Sequence, residues 1–211
     1  MQNLRGPRLL HACASDEGGA TLVEFAVVST LLFSLLFGIV EFGLAFRDRL
    51  TVADASQSAV RIGASLGDAD DSDFEVLRSL EESLGRLPNS GIGVVKFVDI
   101  FKARDDGSPS SGCPGASCNR YVYVPDPLGT CDWVPCPDPG LGPPVYGGSW
   151  SPGDRDIALP GLEVMGVRIS YAHDWVTGRL IPLPNVDCDG SPGAGCWADT
   201  AIMRLEPQQF E

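Results

Sequence analysis

The stretch Gly18-Gly19-Ala20-Thr21-Leu22-Val23-Glu24 opens an apolar run that continues to Val40. The sixteen residues from Phe25 to Val40 carry no charge. A helix of that length spans roughly 24 Å, which is shorter than a hydrocarbon core of about 30 Å. A helix that starts at Ala20 reaches roughly 31 Å and is long enough to cross. The crossing then includes Glu24, and a lone carboxylate at such a depth is costly and usually functional.

The chain offers no strong helix breaker directly after the apolar run. No proline occurs between Pro7 and Pro88, and the intervening residues are rich in alanine. We therefore expect one helix over residues 20–66. Residues 20–46 would form its transmembrane part, and residues 47–66 would continue it outside the membrane.

Residues 67–211 have the pattern of an α+β domain. Apolar residues at steps of three and four predict a second helix from Asp73 to Leu87. Four runs rich in strand-forming residues predict an antiparallel sheet on which this helix packs. These runs are residues 92–102, 121–124, 162–171 and 198–205. Residues 105–160 hold eleven of the 17 prolines, which predicts a long irregular loop.

The acidic segment at residues 68–73 has two interpretations. Its alternating carboxylates could supply oxygen ligands to calcium. Ser72 followed by Glu75 also fits a capping box, in which acidic residues favour a helix N-terminus. We favour the start of the second helix.

The sequence Gly19-Ala20-Thr21-Leu22-Val23-Glu24 resembles the processing site of type IV prepilins, where a peptidase cuts after glycine and glutamate is fifth in the mature chain. Residues 37–43 and the small-residue stretch at 59–65 are similar to the TadE-like pseudopilins of tight-adherence (Flp) pilus systems. The resemblance covers roughly residues 18–65. Beyond it, the chain shares only the general architecture of such proteins.

The resemblance implies that residues 1–19 are a prepilin-type leader, with Gly19 as its last residue and Ala20 as the new N-terminus. Glu24 would meet the free amine of a neighbouring subunit. The expected partners are a prepilin peptidase, other pilins or pseudopilins, and inner-membrane assembly proteins. The N-terminus would lie inside and the C-terminal domain outside the cytoplasmic membrane. Major Flp pilins are much shorter, so a minor pilin or an accessory assembly subunit fits this length better.

Cysteine usage agrees with export. Of the seven cysteines, Cys13 lies in the expected leader, which leaves an even number behind it. The others are Cys113, Cys118, Cys131, Cys136, Cys188 and Cys196. Six cysteines allow about fifteen pairings, among which closure between sequence neighbours is the shortest. The spacing of the first four also suits a zinc site, but zinc needs reduced thiolates, and disulfides are expected outside the membrane.

Other functional classes have little support in the residues. A formal net charge of −13 without a basic stripe argues against a nucleic-acid partner. Catalytic motifs are missing, so we expect neither an enzyme nor a cofactor. Asn185, Asp187 and Asp189 match the first half of an EF-hand loop, but Cys196 stands at the twelfth position, which leaves calcium a weak option.

Two alternatives to processing after Gly19 remain. The N-terminal segment could be a signal peptide cut near Ala53-Asp54-Ala55, or it could be an uncleaved anchor. In either case the competing function is a membrane-anchored or secreted binding or adhesion module with no role in a pilus.

Overall fold

The computed structural model describes residues 17–87, 91–172, 188 and 196–207. The chain divides into two compact units, of which the first ends at Val40 and the second begins at Glu41. Helix α1, Glu17–Leu66, has 50 residues and contributes to both units. It begins three residues before the expected start, and it ends where Gly67 adopts a positive φ of 60°.

Among the described residues, one helix is long and apolar enough to cross a membrane, and it is α1. None of its apolar window is buried within the protein. The expectation of a single N-terminal apolar helix is therefore confirmed.

Helix α2, Ser72–Leu84, is shorter than the expected helix, because the chain turns at Gly85. Its buried apolar side chains are Val76, Leu77, Leu80 and Leu84. The predicted capping box is wrong. The N-cap residue is Asp71 and makes no side-chain cap bond, while the Ser72 hydroxyl accepts a hydrogen bond from Arg155 instead.

Five strands form one antiparallel sheet in the order β3-β2-β1-β4-β5. They are β1 Val95–Lys102, β2 Cys118–Tyr123, β3 Trp133–Val134, β4 Val164–Tyr171 and β5 Trp197–Arg204. The predicted α+β class, with a second helix and an antiparallel sheet, is confirmed. Strand β2 overlaps the strand predicted at residues 121–124 and begins three residues before it. Strand β3 was not predicted and lies inside the segment predicted to be irregular.

The core lies between the helices and one face of the sheet, and α1 enters it through small residues. Ala55, Ala59 and Ala64 are fully or almost fully buried there. At Gly63, a Cβ atom would lie 2.5 Å from the Met165 side chain and 2.8 Å from that of Val76. Small side chains thus let the helix backbone approach the sheet closely.

Three disulfides are present, and each joins sequence neighbours. They are Cys113–Cys118, Cys131–Cys136 and Cys188–Cys196. Cys113, Cys118, Cys131 and Cys136, which have the spacing of a zinc site, are thus bonded in two pairs and offer no thiolate for zinc. Asn185, Asp187 and Asp189 lie outside the described residues.

Candidate functional site

The three residues of the predicted processing and assembly site lie in the first two turns of α1. Gly19, Ala20 and Glu24 are all helical and all exposed. Residues four apart in a helix share one face, so Ala20 and Glu24 are neighbours one turn apart. The residues that the sequence singled out are thus on one exposed helical surface.

Glu24 lies within a band of exposed apolar side chains, which we call the apolar band. The band consists of Leu22, Val23, Phe25, Val27, Val28, Leu31, Leu32, Phe33, Leu35, Leu36, Phe37, Ile39 and Val40. A surface of this size needs lipid or other apolar helices around it.

The hydroxyl groups inside the apolar band are satisfied by the helix itself. Ser29 and Thr30 donate to the Ala26 carbonyl at 3.0 and 2.8 Å, and Ser34 donates to the Leu31 carbonyl at 2.9 Å. In the described part of the chain, the Glu24 carboxylate has no such partner. It is the one charged group in the band, so its neutralisation depends on a group brought from elsewhere.

Glu41 differs from Glu24 in its surroundings. Its residue is only 5% exposed, and it shares a buried face of α1 with Ala45, Asp48 and Val52. This face packs within the second unit, whereas Phe42 on the neighbouring face is exposed. Glu41 therefore belongs to the packing of the second unit rather than to the exposed surface that holds Glu24.

A buried polar cluster joins the helices to the Pro/Gly-rich segment. Both oxygens of Asp73 accept bonds: Oδ1 accepts from Arg155, while Oδ2 accepts from Asn119 at 2.9 Å and from the Tyr121 hydroxyl at 2.6 Å. Burial, and then the Asp73 charge, raise the pKa of Tyr121 well above its ordinary value. Both oxygens of Asp73 are therefore buried and hydrogen-bonded within the protein, away from the exposed surface where a calcium loop was considered from the sequence.

Arg155 extends the same cluster. It donates to the Ser72 hydroxyl at 2.9 Å, and its guanidinium lies 4.5 Å from the centre of the Trp150 ring. The sequence analysis missed this cluster. Its only sequence signal is an arginine placed directly between two aspartates, Asp154 and Asp156.

The opposite face of the sheet carries a second charged group. Asp99 on β1 is fully buried and accepts from Arg120 on β2 at 2.7 and 3.0 Å. It also accepts from Arg168 on β4 at 2.6 and 3.1 Å. The Arg120 guanidinium lies 3.9 Å above the Phe97 ring. The two arginines around the Asp99 carboxylate hold strands β2, β1 and β4 in register. We assign this group a role in the stability of the sheet.

Comparison with known proteins gives one match. The family model described as TadE-like protein matches residues 19–61. No curated protein and no solved structure matches the chain. The match includes Gly19, Ala20 and Glu24, and it supports a protein associated with the Tad pilus and anchored by one membrane helix. Residues 19–61 of this chain are thus similar to the TadE-like family, as the sequence resemblance predicted.

Proposed function

We propose that the protein is a minor pilin or pseudopilin, or an accessory assembly subunit, of a tight-adherence pilus. The observation that carries the proposal is Glu24, an exposed carboxylate without a described partner inside the apolar band of a TadE-like segment. A lone charge in this position favours a membrane helix that later meets another charged group.

In this proposal a prepilin peptidase cuts after Gly19 and frees the amine of Ala20. Two features of α1 support a cut at this place. Gly18 and Gly19 each cost about 1 kcal/mol relative to alanine in a helix, so the first turn of α1 opens easily. The new amine of Ala20 would also lie on the same face of α1 as Glu24, one turn away.

The amine and the carboxylate then neutralise each other. Within one chain, Ala20 and Glu24 are one helical turn apart, so the amine shields the carboxylate while the subunit stands alone. Between chains, the amine of one subunit would meet Glu24 of its neighbour, which removes two unpaired charges from the apolar surroundings. The apolar band supplies the rest of the contact between helices.

The second unit lies outside the cytoplasmic membrane in this proposal, and the N-terminus lies inside. Three disulfides support an oxidising compartment for this unit. The role is assembly, and the proposal requires no cofactor and no reaction carried out by this chain.

The test is the intact mass and N-terminal sequence of the protein recovered from cells that hold the pilus machinery. The expected N-terminus is Ala20. Gly19→Val should abolish cleavage, whereas Gly18→Val, the matched neighbour, should leave it intact. An N-terminus near Ser56 would indicate a signal peptide, and an intact Met1 would indicate a plain anchor. Either result contradicts the proposal.

Glu24→Gln separates the pilus role from the competing binding or adhesion module. The variant removes the charge but keeps the size of the side chain. We expect it to insert in the membrane and to lose incorporation into pili. A simple tether would tolerate the change or improve with it.

A further inference from the structure

A cavity of about 440 Å³ lies between α1 and the end of α2, and we call it the α1–α2 cavity. Its volume is in the range of small-molecule sites, roughly 300–1,000 Å³. All of its lining residues belong to the second unit. They are Arg47, Leu50, Thr51 and Asp54 of α1, and Ser83 and Arg86 at and just after the end of α2.

Both walls of the α1–α2 cavity are anchored in the core of the second unit. The four lining residues of α1 share one face of the helix, because they follow one another within two turns at helical spacing. On its other face, α1 is buried through Val52 and Ala55, and α2 is buried in the same core through Leu80 and Leu84. The lining side chains therefore project from two fixed helices.

Two guanidinium groups line the cavity without an ion pair. Arg47 and Arg86 are both exposed, and among the contacts of the described residues neither side chain forms a salt bridge or a hydrogen bond. Arg78, on another face of α2, is by contrast paired with Glu75 and Glu82. The two arginines of the cavity are thus available to an anion from outside the chain.

The other polar residues of the lining define the charge that this anion should have. Asp54 adds one negative charge to the two positive ones, so the lining carries one net positive charge. A phosphodiester carries one negative charge and matches it. The Thr51 hydroxyl already donates to the Arg47 carbonyl at 3.0 Å, so Ser83 supplies the hydroxyl donor of the cavity.

The backbone at Arg86 is held by the turn that ends α2. Leu84 and Leu87 on either side of it are buried, and the Leu87 amide donates to the Leu84 carbonyl at 3.0 Å. A basic residue at a helix C-terminus also interacts favourably with the helix dipole, which is the simplest alternative role for Arg86. That role does not account for Arg47, which faces the same cavity from the middle of α1.

An apolar track on α1 leads to the cavity. Phe42, Phe46 and Leu50 are 71%, 61% and 56% exposed, and they share one face of the helix because they are four positions apart. Leu50 is itself part of the cavity lining. The α1–α2 cavity therefore combines an anion site with a continuous apolar surface.

The position of Arg47 in the chain places this anion site near a membrane surface. In the proposed function residues 20–46 cross the membrane, so Arg47 is the first residue beyond the crossing. The headgroup region extends roughly 5–8 Å beyond the hydrocarbon core, and arginine side chains near a helix end reach into it. This step rests on the membrane anchoring in the proposed function.

We propose that the α1–α2 cavity binds a membrane phospholipid. The phosphate accepts hydrogen bonds from Arg47 and Arg86, each of which can donate two parallel bonds to it. The acyl chains lie along Phe42 and Phe46. A carboxylate of another protein would also suit two guanidinium groups, but a phospholipid matches the charge and the apolar track with one molecule.

The test uses the full chain in detergent micelles and titrates it with dioleoylphosphatidylglycerol. Native mass spectrometry measures the fraction of protein that retains the lipid. Dioleoylglycerol has the same acyl chains and no phosphate, so it is the matched lipid. We expect the phospholipid to bind at least about tenfold more tightly, because only its phosphate uses the two arginines. Inorganic phosphate at the same concentration should not displace it, since it lacks the acyl chains.

Four variants test the assigned residues. Arg47→Gln and Arg86→Gln should each weaken binding of the phospholipid by about tenfold. Arg61→Gln changes an exposed arginine of α1 outside the cavity and should leave the affinity unchanged. Asp54→Asn removes the negative charge from the lining and should strengthen binding by about two- to fivefold. A folding defect, which circular dichroism would detect, does not produce such an increase.

Equal binding of the two lipids would overturn the proposal, as would unchanged affinity in Arg47→Gln and Arg86→Gln or weaker binding in Asp54→Asn. Displacement of the lipid by inorganic phosphate would indicate a site for free anions instead. A dimer that Arg47→Gln dissociates and the phospholipid does not would indicate a second copy as the occupant, which also contradicts the proposal. None of these readouts depends on cleavage after Gly19 or on pili, so this inference and the proposed function fail separately.

Discussion

Arg155 donates from Nη2 to Oδ1 of Asp73 at a place where neither side chain has any exposed surface. The pair connects the start of α2 with a segment eighty-two residues further along the chain. Arg155 also reaches the Gly67 carbonyl at 3.5 Å, just after the end of α1. One side chain therefore links both helices to the Pro/Gly-rich segment.

Arg155→Met should destabilise the protein by about 3–5 kcal/mol, because it leaves the Asp73 charge buried without its cation. The measurement is urea unfolding of the full chain in detergent. Arg78→Met is the control, since Arg78 forms only exposed pairs with Glu75 and Glu82 and should cost less than about 1 kcal/mol. Equal effects of the two substitutions would contradict the structural role of Arg155.

Gly63→Ala should destabilise the protein by about 1–3 kcal/mol, since the new methyl group collides with Met165 and Val76. Gly43→Ala, in the same helix, meets nothing within 4 Å and should stabilise by up to about 1 kcal/mol. Thermal unfolding of the two variants side by side measures the difference. A stabilised Gly63→Ala variant would show that the packing at this position is looser than described.

Glu81 should make stability decrease as pH rises. Burial raises the pKa of Glu81 above its ordinary value of 4.5, the hydrogen bond from Trp133 opposes this shift, and the nearby Asp132 charge adds to it. A carboxyl with a raised pKa in the folded state binds protons better when folded, so stability falls as pH rises between the two values. Glu81→Gln keeps an acceptor for Trp133 and should remove this pH dependence and raise stability at pH 7.

Unfolding midpoints measured from pH 4 to pH 7 test this prediction. Glu82→Gln, an exposed substitution in the same helix, controls for the loss of one negative charge. A wild-type protein that gains stability with pH through this window, relative to Glu81→Gln, would contradict the assigned sign.

The count of free thiols should report processing. The chain has seven cysteines, and six of them form the three disulfides. The oxidised precursor should therefore show one free thiol on denaturation, that of Cys13, and the chain processed after Gly19 should show none. Thiol titration of the denatured protein measures this, with a Cys13→Ser precursor as the blank. One free thiol in the pilus-associated form would contradict removal of the leader.

The helices and strands that depend on a local pattern of residue types could be predicted from the sequence. The uncharged run after Glu24 and the lack of proline before Pro88 were enough to predict α1. Alternating apolar residues predicted β4, and β-branched and aromatic residues predicted β1.

Sequence reasoning did not predict the contacts between residues that are far apart in the chain. In the sequence, Asp73 is the last residue of an acidic segment, and only the fold shows that Arg155 and Tyr121 contact it. Likewise, Gly147 is one of many glycines in its segment, and only the pairing of β2 shows that it seals an edge. The position of β5 beside β4 likewise depends on strand order, which the residues of β5 alone do not determine.

The three disulfides each span a short piece of chain, with separations of five, five and eight residues. No described disulfide ties one strand of the sheet to a distant helix, so each contributes only about 2 kcal/mol by closing a small loop. If the second unit is exported, as the proposed function requires, both cysteines of a pair leave the membrane almost together. The pairs Cys113–Cys118 and Cys131–Cys136 could then be oxidised before β4 and β5 emerge, and Cys188–Cys196 could be oxidised after β4 but before β5.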